Sequence, residues 1–235
     1  MFYIVYIYLF ILVVFFIVKY SKSLITDISI LTVYNTILNI LSFKFAEKVY
    51  KIDILDQVYK LIDKIAANYS LLLNGQINTQ TISLIYKQIF PSILISISVF
   101  ISIFYYYVLK ILCERLKIKE KEFVPFSHFI IPKEVFYAMV ATFLLQFIYK
   151  DSELFTIVMN NSLFILSSVI MVQSISLFYF FFARRLKQFI LKLLILIVIT
   201  LLSLSLAEMA ILIGMMDIIF DFAKRNKKRV RSGEG

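Results

Sequence analysis

The sequence predicts an all-α fold: a polytopic membrane helical bundle of about seven transmembrane helices plus one amphipathic interfacial helix. Of its 235 residues, 61% are hydrophobic and only 17% are charged, whereas soluble domains are about 45–50% apolar and about 25% charged. The apolar residues form long uncharged runs, such as 88–109 and 155–183, each long enough to cross the ~30 Å core of a bilayer. Lys and Arg cluster between the runs, which is typical of cytoplasmic loops.

The N-terminal part contains two predicted spans and a helix of another kind. Residues 2–18 carry no charge and lack both a basic start and a small-residue cleavage site, so we expect an uncleaved span. A second span, 24–43, includes the polar Asp27 and Asn35. In 47–67, apolar residues recur every three or four positions between charges. This period predicts an amphipathic helix lying on the membrane surface or against the bundle.

The middle of the chain contains three predicted spans: 88–109, 132–149 and 155–182. We expect Pro91 in the first turn of its helix, where proline is tolerated. The span 132–149 is short, so tilting or snorkelling of its flanking charges is expected.

The C-terminal region is predicted to form two spans, 188–206 and 209–223. A single helix over 188–222 would be about 52 Å long, which exceeds the hydrocarbon thickness. Glu208 either marks the turn of a tight hairpin or is a functional carboxylate inside the bundle. The basic tail, 224–235, predicts a cytoplasmic C-terminus. The chain is therefore expected to be one integral domain, 1–235, in the cell membrane.

A set of polar side chains in two spans is the candidate ligand site. Asn160, Ser167 and Ser174 follow a heptad spacing, Gln173 lies beside them, and the preceding span adds Gln146. Polar groups at membrane depth serve either a small-molecule site or hydrogen bonds between helices. Both interpretations are kept at this point.

A second set, near the C-terminus, is the candidate for helix packing or partner docking. Ala210 and Gly214 are small residues four apart, which allow helices to approach closely, either within one protein or between two copies. Asp217, Asp221 and Arg225 are spaced one helical turn apart. They indicate either an interfacial charge ladder or a docking or ion-coupled site.

Catalytic and metal-binding patterns are missing from the sequence. It contains one His and one Cys, and no HExxH, phosphate-loop, GxSxG or Cys–His pattern. We therefore expect no enzymatic activity, no metal and no cofactor. The net charge of +10 lies mostly between spans, which favours anionic lipid head groups as the partner. Another membrane protein is the second partner class, and nucleic acid is not expected.

Three segments carry a family resemblance. Residues 214–222, GMMDIIFDF, are similar to a closing Gly-Leu-Leu-Asp-x-Trp-x-Asp-Phe-Arg pattern; 125–132, PFSHFIIP, is similar to a Phe-x-x-Phe-x-x-Pro entry before a span; 160–183 is similar to an Asn-containing span. Over roughly 70–235 the chain resembles the YybS-like family of bacterial multi-pass membrane proteins. That family is distantly similar to the S components of energy-coupling-factor vitamin transporters.

The resemblance implies a small-molecule-binding or transport-related component. The alternative that we carry forward is a structural or regulatory protein of the cell envelope, which acts by helix–helix docking and has no substrate.

Overall fold

The computed structural model describes residues 2–21, 23–72, 79–118, 123–149, 152–183, 186 and 188–222. These residues form eight α-helices and one 3-10 turn, Phe126–His128, and contain no strand. The helices are α1 Phe2–Tyr20, α2 Leu24–Tyr50, α3 Ile54–Leu72, α4 Thr79–Arg115, α5 Lys133–Ile148, α6 Glu153–Ala183, α7 Phe189–Ser205 and α8 Ala207–Phe220.

Every predicted span coincides with one of these helices, so the all-helical class is confirmed. The predicted count of seven transmembrane helices is not confirmed. Within the described residues, three helices are long and apolar enough to cross a membrane: 24–50, 83–115 and 153–183. The bent pair α7–α8 adds a fourth at most, and Tyr8–Tyr20 is a shorter apolar helix. With 16 residues, α5 is about 24 Å long, less than the hydrocarbon thickness.

The amphipathic helix begins later than the periodicity predicted. Residues 47–50 belong to α2, which ends at Tyr50, and Lys51 then adopts a left-handed conformation with φ 54°. The Asp53 carboxylate accepts a hydrogen bond of 3.0 Å from the Asp56 N–H. An aspartate in this position caps the first turn of a helix, so α3 begins at Ile54 and packs against α4.

Pro91 was expected in the first turn of its helix, and this prediction is wrong. Because α4 begins at Thr79, the proline lies in the interior of the helix, where it removes a backbone donor. A side chain from α6 compensates nearby: Asn161 Nδ2 donates to the Gln88 carbonyl over 3.0 Å, and Ser92 bonds the Asn161 carboxamide. Neighbouring helices commonly satisfy the backbone in this way at membrane prolines.

Helix α4 packs against α2, α3 and α6. Small hydroxyl side chains on two of its faces bond the neighbouring helices and allow close approach. The bonded pairs are Asn35–Ser102 and Asn39–Ser98 on one face, and Ser92–Asn161 and Ser96–Ser168 on the other. The numbering of the pairs shows that α4 runs antiparallel to α2 and parallel to α6.

One end of the bundle collects the helix ends that adjoin basic sequence. Since α8 also runs parallel to α6, with Asp217 bonded to Gln173, the start of α2 and the ends of α4, α6 and α8 lie together. We call this the basic end. The sequence beside it contains the basic stretches 19–22, 110–121, 184–187 and 224–231. The helix ends that adjoin these stretches lie at one end of the bundle, as the positive-inside rule expects for one membrane side. Which side that is stays a prediction.

The C-terminal helices are not a tight hairpin. α7 and α8 meet at a break at Leu206 and their axes are bent by 109°, far from the reversal that a hairpin requires. Helix α8 packs against α6, and α7 contacts both α6 and α8. Glu208 is exposed in the first turn of α8, where the helix dipole favours a carboxylate.

Candidate functional site

A groove with a volume of about 910 Å³ lies between four helices. Its walls are residues 85–104 of α4, 160–171 of α6, 197–204 of α7 and the start of α8 at Ala207 and Ile211. We call it the α4–α7 groove. Its volume lies at the upper end of the range of small-molecule sites, about 300–1,000 Å³.

The surface of the α4–α7 groove is uncharged and mostly aliphatic or aromatic. No Asp, Glu, Lys, Arg or His is among its described lining residues, and its five polar side chains are Ser96, Asn160, Ser167, Ser168 and Thr200. Along α4 the groove extends from Ile85 to Phe104, about 28 Å of helix. It therefore follows the bundle over nearly the thickness of a bilayer core.

Three of the five polar side chains in the groove are satisfied by the protein. Ser168 Oγ donates to Ser96 Oγ over 2.8 Å, and Thr200 Oγ1 donates to the Leu196 carbonyl over 2.8 Å. Their hydrogen-bonding capacity is therefore used largely for packing.

The other two polar side chains in the groove retain free hydrogen-bonding groups. Gln146 Nε2 donates to Asn160 Oδ1 over 2.7 Å, which leaves Asn160 Nδ2 without a partner in the described part of the chain. Ser167 Oγ also forms no hydrogen bond with any described residue. Asn160 and Ser167 lie about 10 Å apart along α6, so the groove presents two separate polar points on an apolar wall.

The structure divides the predicted ligand set. Asn160 and Ser167 line the groove, and Gln146 orients Asn160 from α5. Gln173 and Ser174 do not line it; both are enclosed in the half of α6 nearer the basic end, with exposures of 1% and 0%. Among the buried side-chain oxygens and nitrogens that the structure describes, only Ser174 Oγ lacks a partner.

Gln173 joins three parts of the fold. Its Nε2 donates to the Asp217 carboxylate of α8, and its Oε1 accepts the Ile131 N–H over 2.9 Å. The other Asp217 oxygen accepts the Phe222 N–H over 3.1 Å. We call Gln173, Asp217, Ile131 and Phe222 the Gln173 cluster.

The Gln173 cluster lies where the chain crosses the bundle interior without regular helix. Residues 126–131 connect to α5 through a 3-10 turn and extended backbone, and Ser176 Oγ donates to the Phe126 carbonyl over 2.8 Å. Non-helical backbone at membrane depth requires such protein partners. Gln173 and Ser176 therefore hold the connecting segment in place, and they do not form an open ligand site.

The second predicted set is distributed around the contact between α6 and α8. Ala210 and Gly214 are buried there, and a Cβ atom added at Gly214 would lie 2.3 Å from the Ile170 carbonyl oxygen. Asp217 is buried in the Gln173 cluster. Because α8 ends at Phe220 and Asp221 is left-handed, with φ 47°, the helical face expected to align Asp217, Asp221 and Arg225 is interrupted. Arg225 lies outside the described residues.

A polar contact at the end opposite the basic end joins α3 to α4. Lys87 Nζ lies 3.0 Å from Asp63 Oδ2, and Ser83 bonds the other carboxylate oxygen. The hydrogen bond from Lys87, followed by that from Ser83, lowers the pKa of Asp63 below its ordinary value. No cluster of three or more His, Cys, Asp or Glu side chains capable of holding a metal occurs in the described ranges.

Sequence reasoning missed Asn161 and the partner of Gln173. Nothing in the local sequence distinguishes Asn161 from its neighbour Asn160. An indirect signal was Pro91, because a proline inside a helix removes a backbone N–H donor. The pairing of Gln173 with Asp217 spans 44 positions and has no local signal in the sequence.

Comparison with known proteins identifies the family and no closer relative. A family model described as Predicted membrane protein (DUF2232) matches residues 1–218. The match begins at the first residue, whereas the resemblance drawn from motifs covers roughly 70–235. No curated protein and no solved structure matches the chain. Because the family model covers more than half of the sequence and the fold contains several membrane-length apolar helices, the chain belongs to the family of predicted membrane proteins DUF2232.

Proposed function

We propose that this protein is a small-molecule-binding, transport-related component of the cell membrane, and that its ligand occupies the α4–α7 groove. One observation carries the proposal. In a groove of about 910 Å³ with no charged lining residue, Asn160 Nδ2 and Ser167 Oγ have no partner among the described residues. Ligand sites are typically apolar concavities with a few polar groups that orient the ligand.

The resemblance to the YybS-like family, and through it to the S components of vitamin transporters, supports the same function. S components are the substrate-binding subunits of those transporters. We attribute to this chain the binding step. Catalysis is not proposed, because no titratable side chain lines the groove within the described residues.

The alternative, an envelope protein that acts by helix–helix docking, loses its best surface. It required the small-residue face of Ala210 and Gly214 to be available, but α6 covers this face, with the Ile170 carbonyl placed against Gly214. A partner protein would therefore need another surface, such as the basic end, where we also propose contact with anionic head groups.

The experiment is native mass spectrometry of the protein purified in mild detergent, combined with solvent extraction. Wild-type protein should retain one small molecule in stoichiometric amount. Ser167→Trp fills the groove and should lose this molecule, whereas Ser205→Trp, at an exposed position of α7 outside the groove, should retain it. Equal loading of all three proteins, or no loading of the wild type, would contradict the proposal.

A further inference from the structure

We propose that the ligand of the α4–α7 groove is an uncharged lipophile that enters from the bilayer. It has a long apolar chain and, near one end, an oxygen atom that accepts a hydrogen bond from Asn160. This inference rests on the proposed function and specifies the chemical class of the ligand.

The absence of charge on the lining residues determines the charge of the ligand. No described side chain in the groove could pair with a carboxylate, a phosphate or an ammonium group. Transferring an ionised group into such surroundings is strongly unfavourable unless a partner compensates it. The part of the ligand inside the groove is therefore neutral.

The hydrogen bond between α5 and α6 determines the polar end of the ligand. Gln146 Nε2 donates to Asn160 Oδ1 over 2.7 Å, so the oxygen of the Asn160 carboxamide already has a partner. The remaining group is the Nδ2 donor, which requires an acceptor. Ser167 needs a ligand partner less than Asn160 does, because a helical serine can bond the carbonyl four residues earlier in its own helix. A carbonyl, ester, ether or hydroxyl oxygen of the ligand meets the requirement of Asn160.

The shape of the groove determines the rest of the molecule. From Asn160 the groove continues along α6 to Met171, about 16 Å further, and its opposite wall includes isoleucine side chains and Phe100 of α4. Of the polar groups along this section, Ser168 and Thr200 already have partners, and the Ser167 hydroxyl has none among the described residues. An apolar chain is therefore the complement of this section.

The route of entry follows from the exposure of the lining residues. Ile97 and Ile101 on α4, and Leu201 and Leu204 on α7, line the groove and remain 37–59% exposed in the folded protein, so these groove walls belong to the accessible surface of the bundle. In a membrane, this outer surface faces lipid chains. The opening between α4 and α7 therefore admits molecules that are dissolved in the bilayer.

A matched series of C18 compounds tests the chemical class. Tritiated oleyl alcohol is bound to immobilised protein in dodecylmaltoside, and is displaced by unlabelled oleyl alcohol, methyl oleate, cis-9-octadecene or oleate at pH 8. The alcohol and the ester should compete about equally. The hydrocarbon, which lacks the hydrogen bond, should be about three- to tenfold weaker, and the oleate anion should be at least tenfold weaker.

Two variants assign the effect to Asn160. Asn160→Leu should remove the difference between the alcohol and the hydrocarbon. Ser162→Leu, on the same helix but outside the groove and with its hydroxyl bonded to the Val158 carbonyl, should preserve it.

Three results would overturn the inference: oleate competing as well as the alcohol, the hydrocarbon competing equally in wild-type protein, or a bilayer phospholipid outcompeting all four compounds. If none of the C18 compounds binds while Ser167→Trp still loses a co-purified molecule, the ligand class is wrong and the proposed function stands. If Ser167→Trp retains full binding of the alcohol, both the ligand class and the proposed function are wrong.

Discussion

Two pairs of polar side chains, one pair in each half of α6, are used in opposite ways. Near the basic end, Gln173 and Ser176 donate to or accept from other parts of the fold and are almost completely buried. In the other half, Asn160 and Ser167 border the α4–α7 groove and retain groups that no described residue satisfies. One half of the helix is therefore closed by protein, and the other half is open to a ligand.

The difference shows that polarity at membrane depth does not by itself indicate a ligand site. A buried glutamine that bridges two segments and an asparagine on a groove wall contribute equally to a sequence pattern. What separates them is whether the fold provides the partner. Substitutions in the closed half should therefore affect stability, whereas substitutions in the open half should affect binding.

The largest expected effect is that of Gln173→Leu. It leaves the Ile131 N–H and an oxygen of the Asp217 carboxylate without this partner, and unsatisfied buried groups cost about 1–3 kcal/mol each. We expect the free energy of unfolding, measured by SDS titration in mixed micelles, to fall by about 2–4 kcal/mol. Asn160→Leu, the corresponding change in the open half, should alter it by less than about 1 kcal/mol. Equal losses would remove the distinction between the halves.

Gly214→Ala should destabilise the protein by about 2 kcal/mol, a cost typical of overpacking. In a helix without neighbours this substitution would gain about 1 kcal/mol, so the sign of the effect reports the contact. The added Cβ atom would lie 2.3 Å from the Ile170 carbonyl oxygen, which forces α8 away from α6. Leu212→Ala, on the exposed side of α8, is the control. A stabilised Gly214→Ala protein would show that α8 does not pack on α6 in this way.

A serine-to-alanine substitution in each half of α6 compares the two halves directly. Ser176→Ala removes a buried hydrogen bond to the Phe126 carbonyl and should cost about 1 kcal/mol of unfolding free energy. Ser167→Ala should change this quantity by less than about 0.5 kcal/mol, because the Ser167 hydroxyl has no partner in the described structure. If Ser167→Ala is the more destabilising of the two, the groove surface is part of the packed core.

The smallest expected effect is a pH dependence of the contact between α3 and α4, which should not alter ligand binding in the groove. Because the pKa of Asp63 is lowered in the fold, its contribution to the contact between α3 and α4 is complete at neutral pH and is lost as the pH falls below about 4. Hydrogen exchange of the α3 amides, corrected for intrinsic rates, should therefore accelerate at low pH. Asp63→Asn should show the faster exchange already at neutral pH. Ligand retention should stay constant over the same range, since no titratable side chain is among the described lining residues of the groove.

The sequence was informative about helices because apolar runs and charge clusters are local signals. The ranges 132–149 and 155–182 correspond closely to α5 and α6, and the period of 47–67 identified α3 but neither of its ends, which lie at Ile54 and Leu72. The predicted helix boundaries were wrong where a single residue determines them. Lys51 breaks α2 with a left-handed backbone and Asp53 starts α3, and neither residue alters the apolar pattern.

Contacts between distant segments could not be predicted from the sequence. The heptad of Asn160, Ser167 and Ser174 was visible, but a heptad drifts around a straight helix by about 20° per repeat, and only its first two members reach the groove. The bend of 109° between α7 and α8 and the contact of Gly214 with Ile170, 44 positions earlier in the chain, have no local signal in the sequence. Such pairings require the folded structure.

Photolabelling tests the central claim most directly. A diazirine analogue of oleyl alcohol is irradiated with the protein in lipid nanodiscs, and the labelled peptides are identified by mass spectrometry with and without excess unlabelled alcohol. The account predicts labelling that unlabelled alcohol suppresses, located on residues 160–171 of α6 and on the facing parts of α4 and α7. Labelling that excess alcohol does not suppress, spread over lipid-facing residues such as Phe147 of α5, would contradict it.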